Sequence, residues 1–389
     1  MPIIISSGIT ITMSKKFFIS LGAGHHQKPL IQAAKNLGFS VIGVDVNMEA
    51  VGLPLCDLVI QESILNYRKI YYKLLRLPVE GEFIGGFAAS YGKALLSWAY
   101  LAERLSLPAL SRTQTELLLN KALVRESLHK VDKKPDSFFQ PKFMSPQSII
   151  SKQDVEDLGF PLILKGKQGT SKEQVFQLEN YTELKIFLKK RNLSQKKLSP
   201  SNILLEEKII GDEITVTGLV DNFQYQLLLI TDKIIAAQPP FIELEHRYPS
   251  RYEHLKEEII EIHQWIVDTF QIPLGPLVSE FKVVNDKLFF IELAPQIPGE
   301  YIGSFMIPAA IGYDFFTNLV LLFTGQDIQK PSQPKKKKKV RVQYWPQKVP
   351  IDSWEDWRLK ANFARILNPN PSVPPKSNRD RFGVMGFIE

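Results

Sequence analysis

The chain has 389 residues, of which 44% are hydrophobic and 23% charged, an ordinary composition that supports sizeable cores and suits two or three domains rather than one. Its single cysteine, Cys56, excludes an internal disulfide framework and fits a reducing, cytoplasmic setting, and no apolar run approaches the ~20 residues that span a bilayer. The net charge is +7, but five positive charges come from one run, Lys335 to Lys339, set among Gln329, Pro331, Ser332 and Pro334; a solvated linker explains it more simply than a nucleic-acid or acidic-membrane contact.

The opening residues, MPIIISSGITIT, carry no positive charge ahead of a very short apolar part. Residues 1–15 therefore read as an extension and not a secretion signal, with Met13, directly before Lys15 and Lys16, as the expected translation start. Phe17 to Leu21 is a compact apolar run that ends in Gly22-Ala23-Gly24. Pro29 then suits the first turn of a helix whose Leu30, Ala33, Ala34 and Leu37 follow helical spacing and which Gly38 closes. A strand from Phe39 to Val44 delivers Asp45. Leu58 to Ile60, a helical stretch around Asn66 to Leu75, and the strand Phe83 to Phe87 continue the alternation, which predicts a doubly wound parallel sheet. Gly22-Ala23-Gly24 with Asp45 twenty-one positions on resembles a dinucleotide fingerprint, although Gln27 stands where the third glycine belongs. One reading of this turn is NAD or flavin binding and an oxidoreductase; the other is a plain glycine turn after a first strand.

Thr113-Gln114-Thr115-Glu116 is a capping box that predicts one helix carrying Leu117, Leu118, Lys121, Arg125 and Leu128, with Lys121 and Arg125 on a shared face as surface charge. Pro135, Pro141 and Pro146 mark a connection. A short helix from Asp154 to Leu158 is closed by Gly159, and the strand Phe160 to Lys165 ends in a lysine. The loop Gly166-Lys167-Gln168-Gly169-Thr170-Ser171-Lys172 presents backbone N–H groups and hydroxyls suited to an anion, or is a surface hairpin leading to the partner strand Val175 to Leu178.

Further on, a strand ends at Glu206-Glu207-Lys208, Gly211 bends the chain, and Glu213 starts another strand alternating Ile214 and Val216. Such a hinge can read the edge of a flat base with backbone groups and hold ribose hydroxyls with a carboxylate. Glu257 to Phe270 reads as an amphipathic helix. Ser279 to Gly299 reads as a hairpin turning at Asn285-Asp286, with Glu280 and Glu292 brought close by antiparallel pairing. Two acids so placed repel unless something positive lies between them, a divalent cation with phosphate oxygens being one solution and exposure to water the other. Tyr313 to Phe323 is another helix, and strands near Val340 to Trp345 and Phe382 to Phe387 form a small module in which Trp345, Trp354 and Trp357 are expected in the core.

In this order the features resemble the ATP-grasp superfamily, specifically its carboxylate-amine ligases of the biotin carboxylase-like and L-amino acid ligase-like kind, over roughly Lys16 to Gly325. Phe160-Pro161 before Lys165, Glu206 with Gly211-Asp212-Glu213, and Glu292 followed by Pro295 and Gly299 carry the resemblance. It implies an α/β and α+β multidomain chain: a Rossmann-like domain over 16–110, an ATP-grasp domain over 111–330 with a nucleotide lid at about 140–208, and a Lys/Pro-rich linker with a small C-terminal module over 331–389. It also implies ATP with Mg2+ or Mn2+ as cofactors, a small carboxylate and an amine as substrates, and a homodimer, with no membrane or nucleic-acid partner. The carboxylate would be activated as an acyl phosphate and then attacked by the amine.

By that resemblance Lys121 contacts the phosphates and Lys165 the α-phosphate and adenine edge, while Gln168, Gly169, Thr170 and Ser171 fold over the phosphates. Glu206 accepts the adenine amino hydrogen, Glu207 and Lys208 help read the base, Glu213 holds the ribose, and Glu280 and Glu292 bind the metal. His246, Arg247 and Ser250 match a region that touches substrate, and Arg247, Gln296 and Lys282 are the catalytic candidates. The chain departs from the pattern at Ala294, where relatives carry a metal-binding asparagine, at Gln296, where they carry an arginine, at Glu173-Gln174 in the loop, and at Asn120 before Lys121. Losing an arginine charge at a transferring phosphoryl group costs on the order of 10²-fold in rate. Either Arg247 or Arg251 takes its place, or the chain binds nucleotide with impaired catalysis.

Overall fold

The computed structural model describes residues 14–389 except 79, 147–149, 170–173, 195–199, 300 and 333–336. Residues 1–13, Thr170, Ser171, Glu173, Lys335 and Lys336 thus lie outside the described residues. The chain divides into two compact units, the residues up to Arg112 with Phe316–Gln329, and Thr113–Phe315 with Lys330–Glu389.

The first unit alternates β1 (Lys15–Leu21), α1 (Lys28–Asn36), β2 (Ser40–Asp45), β3 (Leu58–Gln61), α2 (Tyr67–Leu74), β4 (Gly81–Phe87) and α3 (Lys93–Leu105). Its strands form a parallel sheet in the order β3-β2-β1-β4, as the alternation predicts. Phe18, Ile19 and Leu21 of β1 and Val41, Ile42 and Val44 of β2 are fully buried, which is why these strands read as continuous apolar runs. The glycine turn after β1 is closed by its own chain. Gly22 N donates to Val44 O (2.8 Å), Ala23 N to Asp45 Oδ2 (2.9 Å), and Gly24 N to Gln27 Oε1 (3.0 Å). Gln27 also donates to Ala89 O, 2.5 Å away, and Asp45 Oδ1 accepts from Asn47 N. All three amides a pyrophosphate would need are spoken for, so the turn is the plain kind and the dinucleotide reading loses its anion cradle.

The second unit opens with two helices, α4 (Arg112–Leu118) and α5 (Lys121–Lys130), where the capping box predicts one. Asn120 is the reason: its side chain accepts from Ala122 N (3.1 Å) and Leu123 N (3.3 Å), an N-cap that starts a new helix at Lys121. A sheet of β6 (Phe143–Met144), β7 (Leu162–Gly166), β8 (Val175–Leu178) and β9 (Ile203–Glu207), ordered β6-β9-β7-β8, packs with α6 (Lys152–Glu156) and α7 (Tyr181–Ser194) around Val155, Leu162, Leu164, Leu178, Leu184, Ile203 and Leu205.

The larger sheet adds β5 (Phe138–Phe139), β10 (Asp212–Asp221), β11 (Gln224–Ile235), β12 (Glu243–Tyr248), β13 (Leu274–Val284), β14 (Lys287–Ala294), β15 (Val340–Trp345), β16 (Phe363–Ile366) and β17 (Gly383–Ile388). Among the described residues its order is β16-β17-β15-β12-β11-β10-β13-β14-β5. α8 (Lys256–Phe270) buries Ile259, Ile262, Ile266 and Val267, the stripe its 3.6-residue period predicts, and packs on β11. After α9 (Ile307–Ile311), α10 (Phe315–Phe323) carries the chain into the first unit, and α11 (Ile351–Arg358) precedes β16. Trp354 joins Phe382, Met385 and Phe387 in a small core, with Trp345 stacked on Trp357 beside it. Lys337, in the middle of the basic run, lies 2.7 Å from Glu253.

Cross-strand partners share a sheet face. The row Phe363–Gly386–Val342–His246–Lys233–Glu213–Lys282 follows from the registers of six neighbouring strand pairs and defines one face from β16 to β13. The second row, Thr231–Thr215–Glu280–Glu292, lies two residues along on the same face.

Candidate functional site

The hairpin β13–β14 turns at Asn285 (φ 50°) and Asp286 (φ 60°), the left-handed pair of a tight hairpin turn. Phe281 faces Phe290 and Lys282 faces Phe289, so a regular ladder would set Ile291 opposite Glu280. A bulge intervenes and Glu292 takes that place. The irregularity is held from below by Arg125 of α5, which is 1% exposed. It donates to the Phe290 carbonyl, to Ile291 O (2.9 Å), and through Nε to Glu206 Oε1 (2.6 Å). What reads as surface charge is therefore a buried clamp that aims Glu292.

Each of the paired acids holds an ammonium group. Lys121 Nζ lies 3.0 Å from Glu292 Oε1 and donates to Gly169 O (2.9 Å), tying α5 to the loop after β7. Burial raises the Glu292 pKa, but Lys121 and Lys165 outweigh it and hold the carboxyl below its ordinary range. Glu280 is paired with Lys233, whose side chain is completely buried. The same ammonium lies 3.0 Å from Glu213 Oε1 and 2.9 Å from Glu243 Oε1. A second bulge explains Glu243: Ile234 faces Glu245 but Ile235 faces Glu243, which brings Glu243 onto the face of Lys233. Burial opposes the charge on Lys233, yet Glu243, Glu280 and Glu213 together raise its pKa well above the ordinary lysine value. Lys282 takes the other oxygen of Glu213 at 3.3 Å and donates to Gly211 O (3.1 Å), and Arg381 reaches Glu243 at 3.4 Å. Four acids and four cations thus alternate across this face.

On β9, Glu206 is 2% exposed and lies 2.5 Å from Lys165 Nζ of β7. Burial alone would raise its pKa; Arg125 and Lys165 reverse the sign and hold it low. Both oxygens face these cations, so the expected role of accepting an adenine hydrogen does not match where the carboxylate points. Glu207 accepts from Lys142 N (3.1 Å), and Lys208 is half-buried just beyond the strand. Gln168 is exposed and Gly169 adopts φ +140°, a conformation that favours glycine.

Arg247 is not brought to the acids. Its cross-strand partner is Asp232, so it lies on the opposite face from Lys233, 58% exposed and 2.7 Å from Glu245. Arg251 binds Asp232 (3.1 Å) and Asp212 (3.2 Å) on that far side, and Ser250 donates to Asp232 (2.6 Å). Gln296 is half-buried two residues past β14, and Ala294 is buried at its end. Sequence reasoning overlooks Lys233 and Glu243 and takes Arg125 for surface charge. For Lys233 a signal exists: LLLITDKII is apolar on both alternating faces, and a lysine in a strand buried on both sides needs a carboxylate.

His246 and His263 also line this unit, 2% and 0% exposed. Burial holds both imidazoles down to about 4; for His246, Lys233 and Arg381 add to it against Glu243. A base with a depressed folded pKa stabilises the fold above its unfolded value and loses that contribution as pH falls. Each is expected to contribute on the order of a few kcal/mol that disappears between about pH 6.5 and pH 4. Urea unfolding midpoints at pH 7 and 5 check this, with His263→Gln expected to flatten the slope.

Among the described residues no group of three or more His, Cys, Asp or Glu side chains is placed to cage a metal. The Glu280–Glu292 pair fits instead a hard cation that brings most of its oxygens from phosphates, since Mg2+ commonly takes only one or two carboxylates in such sites.

Residues 158–304 match the model of the ATP-grasp domain. Among solved structures the chain is similar to L-amino acid ligase from Bacillus licheniformis, at 18% identity and a TM-score of 0.76 over 97% of this chain and 94% of the other. It is similar to phosphoribosylglycinamide synthetase from Anaerococcus prevotii at 15% identity and 0.70 over 97% and 94%. It also resembles N5-carboxyaminoimidazole synthetase from Staphylococcus aureus complexed with ADP, at 17% identity and 0.72 over 96% and 93%. No curated protein sequence matches it. These likenesses bear out the expected α/β and α+β multidomain fold.

Proposed function

We propose that this chain, an ATP-grasp protein by its matched domain and its fold, is an ATP- and Mg2+-dependent ligase that joins a small carboxylate to an amine. The observation that carries the reading is that Lys121 on α5 holds Glu292 of the bulged hairpin while Lys165 on β7 holds Glu206, which the same Arg125 ties to the bulge. Bound Mg2+ would neutralise charge on the transferring phosphoryl group, held by Glu280 and Glu292. The chain's own part is positioning: Lys121 and Lys165 exchange carboxylate partners for phosphate oxygens, and Gln168 with Gly169 begins the loop that shuts out water. Glu213, fixed between Lys233 and Lys282, stands at the hinge where a ribose would lie. The sheet from β6 to β9 is the lid in this reading, and the lone Cys56 fits a cytoplasmic setting.

A second reading has its own support. Ala294 and Gln296 stand where charge or a ligand is expected, and neither Arg247 nor Arg251 shares the face of the acids. It holds that the protein binds nucleotide without turning over. Thermal shift separates both readings from a dehydrogenase: Mg-ATP stabilises the wild type, NAD does not, and Lys165→Ala abolishes the Mg-ATP shift. At 100 times Kd that shift corresponds to about 2.7 kcal/mol. ADP release driven by a carboxylate and an amine together then identifies a ligase; a Mg-ATP shift with no ADP release across a broad panel identifies the second reading. A shift that survives Lys165→Ala refutes both.

A further inference from the structure

β14 leaves the acids through Pro295–Gly299 and arrives at Tyr301, a non-glycine residue with φ +68°, followed by a single π-helical turn, Ile302–Met306. A bulky side chain in the left-handed region persists only where its surroundings over-determine it, and π-turns concentrate at functional sites. The surroundings here are specific. The Tyr301 ring stacks on Phe363 of β16 at 4.6 Å and 25°, and Phe305 meets the same ring edge-on at 4.8 Å. Gly386 on β17 lies beneath both phenylalanines, where any side chain would collide with them. Arg365 Nη1 donates to the Tyr301 hydroxyl at 3.4 Å.

Arg365 sits two residues from Phe363, and Phe363 heads the row that runs through His246 and Lys233 to Glu213, so Arg365 faces the same side of the sheet as the acids. Its charge is treated differently from its neighbours'. On this face Lys233, Lys282 and Arg381 each hold a carboxylate. Among the described residues Arg365 is half-buried with only the tyrosine hydroxyl, on a strand whose adjoining loop comes directly from Glu292. A planar guanidinium fixed beside a stacked aromatic pair, with no carboxylate against it among the described residues, is suited to receive an anion.

We propose that Arg365, oriented by Tyr301 and flanked by Phe363, binds an anionic group on one of the two substrates, a carboxylate or a phosphate distinct from the carboxylate that is activated. The inference rests on the ligase reading for the word substrate, but binding tests it without turnover. With Mg-ATP saturating, calorimetry measures L-alanine against L-alaninamide and O-phospho-L-serine against L-serine. The wild type is expected to prefer the anionic member of at least one pair, and Arg365→Met to lose at least tenfold of that affinity while keeping the Mg-ATP thermal shift. Arg365→Lys should recover part of the loss, and Tyr301→Phe should lose several-fold. A preference in the first pair identifies a carboxylate, in the second a phosphate. Equal loss for both members of a pair, no loss, or no preference in either pair overturns the proposal. Absence of any wild-type Mg-ATP shift is the separate outcome that removes the ligase reading itself.

Discussion

Lys233→Met is expected to destabilise the protein by about 3–5 kcal/mol at neutral pH, the usual result of deleting one partner from a buried ionic cluster. The reason is stoichiometric. One fully buried ammonium lies against Glu213, Glu243 and Glu280 at once, and Lys282 and Arg381 also reach the first two. Methionine fills the volume but removes the one ammonium that all three carboxylates share. The pH dependence gives the mechanism its signature. In the wild type the folded pKa of Lys233 is raised, so its contribution is fully present below the unfolded lysine value of about 10.4 and is lost only as pH rises through the folded value. In the variant the penalty comes from carboxylates that have lost their shared ammonium and shrinks as they protonate. Unfolding midpoints of the two proteins should therefore converge from pH 8 toward pH 4.5. A gap that stays constant over this range would mean that lost packing, not charge, sets the cost.

Arg125→Met is expected to be of similar size, about 3–5 kcal/mol, and to weaken Mg-ATP binding as well. The guanidinium satisfies two backbone carbonyls at the bulge and one oxygen of Glu206, while its plane lies 5.0 Å from the Phe290 ring centroid. Removing it strands the carbonyls of Phe290 and Ile291, each costing about 1–3 kcal/mol if unpaired, and releases the strand that aims Glu292. Glu206 titrates in the depressed sense, so its contribution is present above the unfolded carboxylate value of about 4.3 and is lost as pH falls through the folded value. The deficit of the variant should thus narrow in acid. Arg125→Lys should not restore the wild type, because an ammonium cannot span three acceptors with a planar fork. Chemical unfolding with parallel calorimetry of Mg-ATP checks both halves. Normal nucleotide affinity in a destabilised Arg125→Met protein would show that the bulge holds its shape without the clamp.

Much of this molecule is written locally. The parallel sheet of the first unit follows from apolar runs alternating with helical spacing, and the β13–β14 hairpin from Asn285-Asp286, two residues that tolerate left-handed backbone between runs that prefer strands. That Glu280 and Glu292 lie on the two paired strands of that hairpin is foreseeable for the same reason. Even the break between α4 and α5 has a local cause in Asn120, a good N-cap overshadowed by the capping box at Thr113.

What sequence alone determined, then, is the order of elements and the chemistry they carry, because turns, caps and periodicity act over a few residues. Tertiary structure decided which charges meet. One extra residue at Ile291 sets Glu292 opposite Glu280, and a shift beyond Ile234 turns Glu243 onto Lys233. A single-residue slip moves a side chain to the other face of a sheet, and its position depends on partners that lie far away along the chain. For that reason Arg247 faces away from the acids it was expected to join, while Arg125 and Lys233, unremarkable in the sequence, hold them in place.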